Sequence, residues 1–382
     1  MAMTEDEDRT PAQDDGAPVG PDDDDGALVG LRAPGAGLTE IPATAEDLAR
    51  VRVLDLAWNE LSELPAWIGG LTYLRELRLD GNRLSSLPRL TGLAALRALH
   101  LDGNRLSAVP ECPPGLETLF LYGNAVEALP GRFGGRLRHL SAGGNRLTAL
   151  PPGLWDETGL ESLNLAENLL TEVPSAIGRL TRLRMLDLGH NRLTSLPAEL
   201  GDLGLTGYLY LSDNLLTEAP AWLGRLDRLA YLGLTDNRLT RLPEEIGGMA
   251  SLVELRLYGN RLEELPRAIG RLGRLRELHL RGNRLTALPP SIGELAGLRL
   301  LDLRDNLLAE LPPEIGRLSR LTALDLRNNR LRRLPGTLAE LPALEKLDLR
   351  WNKLDPDELL DPSGAEPEPL RRLRERGCVV LT

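Results

Sequence analysis

Leucines recur along most of the chain in a fixed relation to asparagines. The repeating unit is LxxLxLxxNxLxxLPxxIGxLxx, in which each asparagine follows a short stretch of alternating leucines. Alternation within LxL directs the leucines to one side and their neighbours to the other, so it predicts a short strand with one buried face. The asparagines that mark the repeats are Asn59, Asn82, Asn104, Asn124, Asn145, Asn168, Asn191, Asn214, Asn237, Asn260, Asn283, Asn306, Asn329 and Asn352.

The spacing of these asparagines predicts how the strands are arranged. From Asn145 onward each step is 23 residues, so equivalent positions of successive repeats should lie side by side. The asparagine amide carries both a donor and an acceptor, and it can satisfy buried backbone groups where the chain turns inward after the strand. The pattern therefore predicts an α/β solenoid, with a parallel β-sheet on the concave face and short helical or 3-10 turns on the convex face.

The outer side of each repeat carries the LPxxIG segment. Proline fixes φ and prevents the strand from continuing, and we expect the following residues to form one helical turn that the glycine ends. Between Asn82 and Asn145 the steps shorten to 22, 20 and 21 residues and the IG element is missing. Cys112 lies in this shortened zone.

This repeat resembles the leucine-rich-repeat family, in its bacterial and Ras-associated LPxxIGxL variety with 23-residue repeats. The resemblance covers residues 31–354, where we expect about 14 repeats that begin with a half-repeat cap at residues 38–42. We expect residues 1–30 to be a disordered acidic tail and residues 355–382 to be a C-terminal cap, with a helix followed by a final strand. The resemblance implies a horseshoe-shaped solenoid that binds other proteins.

The charge of the chain is concentrated at its start. The formal net charge is −11, but residues 1–30 contain ten acidic residues and one arginine, which leaves 46 acids and 44 bases for the rest. A nearly neutral body has no bulk field to attract nucleic acid or anionic lipid. We therefore expect no nucleic-acid or membrane partner. The resemblance implies that the partner is a protein, and we expect the chain to be a monomer.

Residues that carry catalytic or metal chemistry are sparse. Cys112 and Cys378 are the only cysteines, which leaves no disulfide framework and favours the cytoplasm. The sequence has no GxxxxGK[ST] phosphate loop, and none of its four histidines has HExxH spacing. We expect no enzymatic activity, no cofactor and no metal. We interpret each histidine on the exposed face as solvated rather than metal-bound.

Aromatic residues cluster at the outward strand positions, which lie six, four and two residues before each asparagine. Six of the eight phenylalanine and tyrosine residues fall there. Tyrosine offers a large contact area with a polar tip, which is why it concentrates in binding surfaces; the alternative is that aromatic residues only favour strands. The predicted partner-binding aromatic residues are Phe120, Tyr122, Tyr208, Tyr210, Tyr231 and Tyr258.

The last four repeats carry an ordered set of charges on the same face. A column of arginines runs beside a column of aspartates made of Asp302, Asp325 and Asp348. These columns form either a charge-compensating ladder or a contact site for a charged partner. The arginines predicted as partner contacts are Arg281, Arg304, Arg327 and Arg350. Trp58 and Trp351 precede the first and last asparagines, and we interpret them as cap packing.

The favoured hypothesis is a non-enzymatic scaffold, of the kind used in intracellular signalling, that binds a partner protein on the concave face. Its alternative is an exported bacterial effector, or the substrate-recognition subunit of a ubiquitin ligase whose catalytic chain is separate. A third hypothesis, glycan or nucleic-acid recognition, predicts salt-sensitive binding that depends on the arginine column.

Overall fold

The computed structural model describes residues 30–356 and 368–382. Within these ranges sixteen short strands form one parallel sheet, and their spatial order is their order in the sequence. The strands are β1 (Gly30–Arg32), β2 (Val53–Asp55), β3 (Glu76–Arg78), β4 (Ala98–His100), β5 (Thr118–Phe120), β6 (His139–Ser141), β7 (Ser162–Asn164), β8 (Met185–Asp187), β9 (Tyr208–Tyr210), β10 (Tyr231–Gly233), β11 (Glu254–Arg256), β12 (Glu277–His279), β13 (Leu300–Asp302), β14 (Ala323–Asp325), β15 (Lys346–Asp348) and β16 (Val379–Leu381).

The leucines of all coils form one continuous core. The central residue of each strand pairs with its equivalent in the next coil, as Leu209 does with Leu232 and Leu232 with Leu255. These three side chains are fully buried, and the residues on either side of them point outward. The predicted solenoid, with a parallel sheet on one face and 3-10 turns on the other, is confirmed.

The asparagine side chains tie neighbouring coils together behind the sheet. Oδ1 of Asn260 accepts a hydrogen bond from the Leu239 N–H of the preceding coil at 3.0 Å. Its Nδ2 donates to the carbonyl oxygens of Leu234 at 2.9 Å and Leu257 at 3.1 Å. The same bonds recur from Asn59 to Asn352. Each amide therefore satisfies backbone groups of two coils that would otherwise be buried without partners.

The residue before each repeat asparagine has a positive φ, a conformation that the sequence pattern did not reveal. Glycine, aspartate and asparagine, which tolerate this conformation, hold most of these positions. Trp58 and Trp351 are exceptions, with φ of 57° and 61°. Both tryptophans are 70% exposed, so the interpretation of cap packing was wrong. The left-handed backbone turns these side chains away from the core.

Ten 3-10 helices line the outer side of the described coils. They span Ala66–Gly70, Pro152–Asp156, Ser175–Arg179, Ala198–Asp202, Ala221–Arg225, Glu244–Gly248, Arg267–Arg271, Pro290–Glu294, Pro313–Arg317 and Gly336–Glu340.

The glycine of the IG element has a different role from the one expected. Gly270 lies inside the helix Arg267–Arg271 and has no positive φ, so it does not end the helix. A Cβ at this position would clash with the carbonyl oxygen of Ser291 in the next coil. The glycine therefore allows adjacent outer helices to approach closely.

The shortened coils lack this outer helix. No 3-10 helix is present between Gly70 and Pro152, and the fully buried Phe133 fills space in this zone. Glu157 is only 2% exposed, and its carboxylate accepts hydrogen bonds from the N–H groups of Gly135 at 2.7 Å and Leu137 at 2.9 Å. This carboxylate supplies the hydrogen bonds that the shortened backbone cannot make to itself.

The two ends of the array differ. Gly30, the last residue of the predicted tail, belongs to β1; the rest of the predicted tail lies outside the described residues. At the C-terminus, helix α1 (Glu368–Glu375) precedes β16, which pairs with β15. The guanidinium group of Arg376 donates hydrogen bonds to the carbonyl oxygens of Ala339 and Leu341, which fixes this end against the last full coil.

Candidate functional site

The concave wall consists of three columns of side chains, at the positions six, four and two residues before each asparagine. Because the strands pair in register, residues 23 apart in the regular part of the array lie next to each other in one column. One column runs from Tyr208 through Tyr231 and Glu254 to Glu277, and the adjacent one from Tyr210 to His279. The leucine core holds these columns in place from behind.

Three of the predicted tyrosines form one cluster on this wall, which we call the aromatic patch: Tyr208, Tyr210 and Tyr231. The ring centroids of Tyr208 and Tyr210 are 4.7 Å apart, and those of Tyr210 and Tyr231 are also 4.7 Å apart, with tilted planes. All three side chains are half-buried by one another and are absent from the leucine core. Tilted aromatic contacts of this kind hold the rings in defined positions.

Gly233 makes room for these contacts. It lies in the column between Tyr210 and Arg256, and a Cβ at this position would come within 3.2 Å of the rings of Tyr210 and Tyr231. The guanidinium carbon of Arg256 lies 5.4 Å from the centroid of Tyr231, which adds a cation–π contact at the edge of the patch. Tyr258 follows Arg256 by two residues on the same coil and is also half-buried.

Phe120 and Tyr122 lie apart from this patch. Strand β5 is four strands from β9, a distance of about 19 Å at the usual spacing of strands. Phe120 packs edge-on against His100 at 5.0 Å between centroids. Tyr122 donates a hydrogen bond from its hydroxyl to Oε1 of Glu167 at 2.6 Å, and burial raises the pKa of its phenol to about 12. The structure thus divides the six predicted aromatic contacts into two groups.

Half-buried acids occupy the N-terminal part of the concave wall. Oδ1 of Asp80 accepts the Asp102 N–H at 3.1 Å, and Oδ1 of Asp102 accepts the Tyr122 N–H at 2.6 Å. Burial, with repulsion from Asp80, raises the pKa of Asp102 to about 7. Burial also lowers the pKa of His100 below its ordinary value. This region gains negative charge as the pH rises towards neutrality.

The raised pKa of Asp102 predicts a pH-dependent stability. The folded protein holds the Asp102 proton more tightly than the unfolded chain does, so this group's contribution is complete below about pH 4 and is lost as the pH rises through about 7. Asp102→Asn keeps an acceptor oxygen but cannot ionise. We expect it to be more stable than the wild type by about 1–2 kcal/mol at pH 8 and equal at pH 4 in urea melts.

The control is Asp227→Asn, at an exposed position. Parallel pH profiles of Asp102→Asn and the wild type would contradict this prediction.

The arginines of the last coils are paired with the neighbouring aspartates. Nη2 of Arg304 lies 2.7 Å from Oδ2 of Asp302, and Arg327 and Arg350 make equivalent bonds to Asp325 and Asp348 at the same distance. The carboxylate of Asp302 raises the pKa of Arg304 above its ordinary value. Arg281 is paired instead with Asp305, at 3.1 Å. The arrangement is a charge-compensating ladder, and a partner that binds these arginines must share them with the aspartates.

Sequence reasoning missed one cluster of metal-ligand residue types on the concave wall. Nε2 of His279 lies 3.1 Å from a carboxylate oxygen of Glu277 and 3.8 Å from one of Glu254. The familiar metal-binding motifs place ligands a few residues apart, whereas Glu254 and Glu277 are separated by a full coil and meet only through the strand register. The signal in the sequence that could have revealed this cluster was the 23-residue period, which places Glu254 and Glu277 in the same column.

Neither cysteine has the character of a nucleophile. Burial raises the pKa of the Cys112 thiol to about 12 and raises that of Cys378 above its ordinary value, so both are thiols rather than thiolates at neutral pH. Both are unpaired. In the described part of the chain, no helix has the length and apolar character needed to span a membrane.

Comparison with known proteins identifies the family. The sequence profile described as "Leucine rich repeat" matches residues 135–193, 158–216 and 296–354, and the profile "Leucine-rich repeat region" matches residues 218–297. The chain is 32% identical to a leucine-rich-repeat protein of Leptospira interrogans, with a TM-score of 0.81 over 93% of this chain and 96% of that one. No curated protein matches the chain. The chain belongs to the leucine-rich-repeat family.

Two other solved structures show the same fold. A plant peptide hormone receptor in complex with its peptide is 28% identical, with a TM-score of 0.67 over 90% of this chain and 68% of the receptor chain. An internalin from Listeria monocytogenes is 21% identical, with a TM-score of 0.69 over 89% of this chain and 88% of the internalin chain. The likeness to the internalin concerns the fold alone.

Proposed function

We propose that this protein is a non-enzymatic interaction scaffold that binds a partner protein on its concave wall, with the aromatic patch at the centre of the contact. The observation that carries the proposal is the mutual packing of Tyr208, Tyr210 and Tyr231 on a surface that faces away from the core. Since the leucine core is complete without these rings, their clustering serves the surface rather than the fold.

The physical chemistry of the patch suits protein recognition. Tyrosine has few rotatable bonds, so it loses little conformational entropy when a partner orders it, and its hydroxyl can bond to polar groups. The neighbouring contacts hold the three rings in place before binding, which lowers this cost further. A related receptor structure holds a peptide hormone, and we extend the general mode, a polypeptide bound by a leucine-rich-repeat protein, to this chain.

The charged regions on either side of the patch would orient the partner. The half-buried acids of the N-terminal coils lie on one side, and the ladder of Arg281, Arg304, Arg327 and Arg350 lies on the other. Paired charges contribute less to affinity than to the choice and orientation of a partner. We therefore assign the main binding energy to the tyrosines, and a secondary role to the arginines, Tyr258 and the pair Phe120 and Tyr122.

We propose a bacterial protein of the LPxxIGxL repeat variety that works as a monomer in the cytoplasm, in signal transduction. Its two cysteines are unpaired, which suits a reducing compartment.

Site-specific photocrosslinking tests the location of the binding site. A photoreactive benzophenone residue at Ser212, beside the aromatic patch, leaves the tyrosines intact. We expect it to crosslink one protein in a lysate of the source organism, identified by mass spectrometry, and unlabelled wild-type protein should compete for it. The matched control is the same probe at Ser319, which is exposed in the turn after the 3-10 helix Pro313–Arg317. Capture of the same protein from Ser319 but not from Ser212 would contradict the proposal.

A further inference from the structure

A second feature of the concave wall lies next to the aromatic patch, on strands β11 and β12. Glu254 and Glu277 occupy one column and face each other directly across the two strands. His279 stands two residues after Glu277, on the same face of the sheet. One potential ligand atom from each of these three side chains lies within 4.8 Å of the other two.

We propose that Glu254, Glu277 and His279 bind a divalent transition-metal ion, with Zn²⁺ as the best match. Imidazole nitrogen together with carboxylate oxygen is a donor set that suits Zn²⁺ and similar ions, whereas Ca²⁺ and Mg²⁺ prefer oxygen ligands alone. The proposal goes beyond the protein-binding function, because it concerns a ligand that needs no partner protein.

The distances are close to those of a metal site. Two ligands at ordinary Zn²⁺ bond lengths are about 3.3 Å apart in a tetrahedral arrangement. Nε2 of His279 is already 3.1 Å from Oε2 of Glu277 and 3.8 Å from Oε1 of Glu254. The widest separation within the group is at most 4.8 Å, so rotation of the flexible glutamate side chains is enough to close the site. The backbone does not have to move.

The exposure of the three side chains leaves room for a further ligand. His279 and Glu254 are 19% and 22% exposed, while Glu277 is 44% exposed. Three protein ligands on a surface leave a fourth position open to solvent, as in zinc sites that bind water or substrate. A carboxylate or imidazole of a partner protein can take this position, which would link the metal to the adjacent aromatic patch.

Charge also favours a cation at this place. Two carboxylates on facing strands repel each other, and a cation between them removes the repulsion. Arg256 partly fills this role, because its Nε lies 2.6 Å from Oε1 of Glu254. The arginine also contacts Tyr231, so it can remain at the patch while Glu254 turns to the metal. Arg256 is therefore a competitor, and its removal should tighten metal binding.

The chain contains an incomplete copy of the same arrangement. On strands β3 and β4, Glu76, Arg78 and His100 occupy the positions that Glu254, Arg256 and His279 occupy on β11 and β12. The position equivalent to Glu277 is Ala98, which supplies no ligand. Nε2 of His100 lies 3.9 Å from a carboxylate oxygen of Glu76, but the donor equivalent to Glu277 is absent, and the described residues bring no third ligand atom into the same close group. This copy offers a matched control within the same molecule.

Titration of the full chain with Zn²⁺ tests the proposal, with Co²⁺ absorption as a readout of coordination. The acidic residues at the N-terminus also supply carboxylates that can bind Zn²⁺. The test therefore compares the Zn²⁺ affinity of each variant with that of the wild type. We expect His279→Ala and Glu277→Gln each to weaken the affinity for one Zn²⁺ at least tenfold and to abolish the tetrahedral Co²⁺ bands. His100→Ala should change neither, and Arg256→Gln should increase the affinity. Mg²⁺ should not compete.

Three results would overturn the proposal: no Zn²⁺ binding by the wild-type protein, equal binding by the wild type and His279→Ala, or an equal loss in His100→Ala. Glu277→Gln preserves the size of an exposed side chain, so a failure to fold does not confuse its result. All of these measurements omit the partner protein. Loss of the metal site therefore leaves the proposed binding function standing, and loss of partner binding leaves the metal site testable.

Discussion

Replacement of Asn260 by alanine should lower the free energy of unfolding by about 3–5 kcal/mol. The change removes the acceptor for the buried Leu239 N–H and the donor to the carbonyl oxygens of Leu234 and Leu257. These backbone groups lie inside the array, where water does not replace the lost bonds. Urea or guanidinium melts followed by circular dichroism measure the effect.

Two variants separate the hydrogen bonds from other effects of this substitution. Asn260→Asp keeps an acceptor oxygen but loses the donor, so we expect a loss as large as that of alanine or larger. Arg261→Ala, at the exposed neighbouring position, should stay within about 0.5 kcal/mol of the wild type. If Asn260→Ala were as stable as Arg261→Ala, the hydrogen bonds of the repeat asparagines would not be what joins the coils.

Simultaneous replacement of Tyr208, Tyr210 and Tyr231 by alanine should weaken partner binding at least about a hundredfold. The three rings form the aromatic patch, and their removal takes away its contact area and hydroxyl groups together. The leucine core is untouched, so the far-ultraviolet circular dichroism spectrum should keep its wild-type form. The partner identified by photocrosslinking is purified on its own, and titration calorimetry with it measures the change in affinity.

The control for this variant is Tyr73→Ala. Tyr73 is 61% exposed in the turn before β3 and lies off the concave wall, so its loss should leave the affinity unchanged. Replacement of the same three tyrosines by phenylalanine keeps the rings and removes only the hydroxyl groups, and we expect it to retain most of the binding. Wild-type affinity in the triple alanine variant would remove the aromatic patch from the binding site.

The repeat pattern alone predicts most of the architecture, because each part of the pattern determines the structure of a short stretch of chain. Alternating leucines define the strands, and the constant 23-residue step defines which residues become neighbours. The position of Tyr208 beside Tyr231 follows directly from that step. The clustering of these rings with Tyr210 also depends on Gly233, because a side chain at this position would crowd the rings of Tyr210 and Tyr231. The sequence does not show how the rings tilt, so it does not reveal this role of the glycine.

Other features depend on details that a repeat pattern does not contain. The left-handed backbone before each asparagine explains why Trp58 and Trp351 are exposed, although their positions beside the first and last repeat asparagines suggest packing in the caps. The IG glycine looked like a helix stop, but its role is set by the neighbouring coil, which a single repeat does not show. The Glu254, Glu277 and His279 cluster was missed because the expected spacing of metal ligands in sequence is short, whereas a parallel sheet joins ligands across a whole coil.

A crystal structure of the protein bound to its partner is the decisive measurement for the binding proposal. The partner should lie on the concave wall, with side chains packed against Tyr208, Tyr210 and Tyr231 and with the leucine core unchanged. A partner bound to the outer 3-10 helices, with the three tyrosine rings no more buried than in the free protein, would contradict the proposed function.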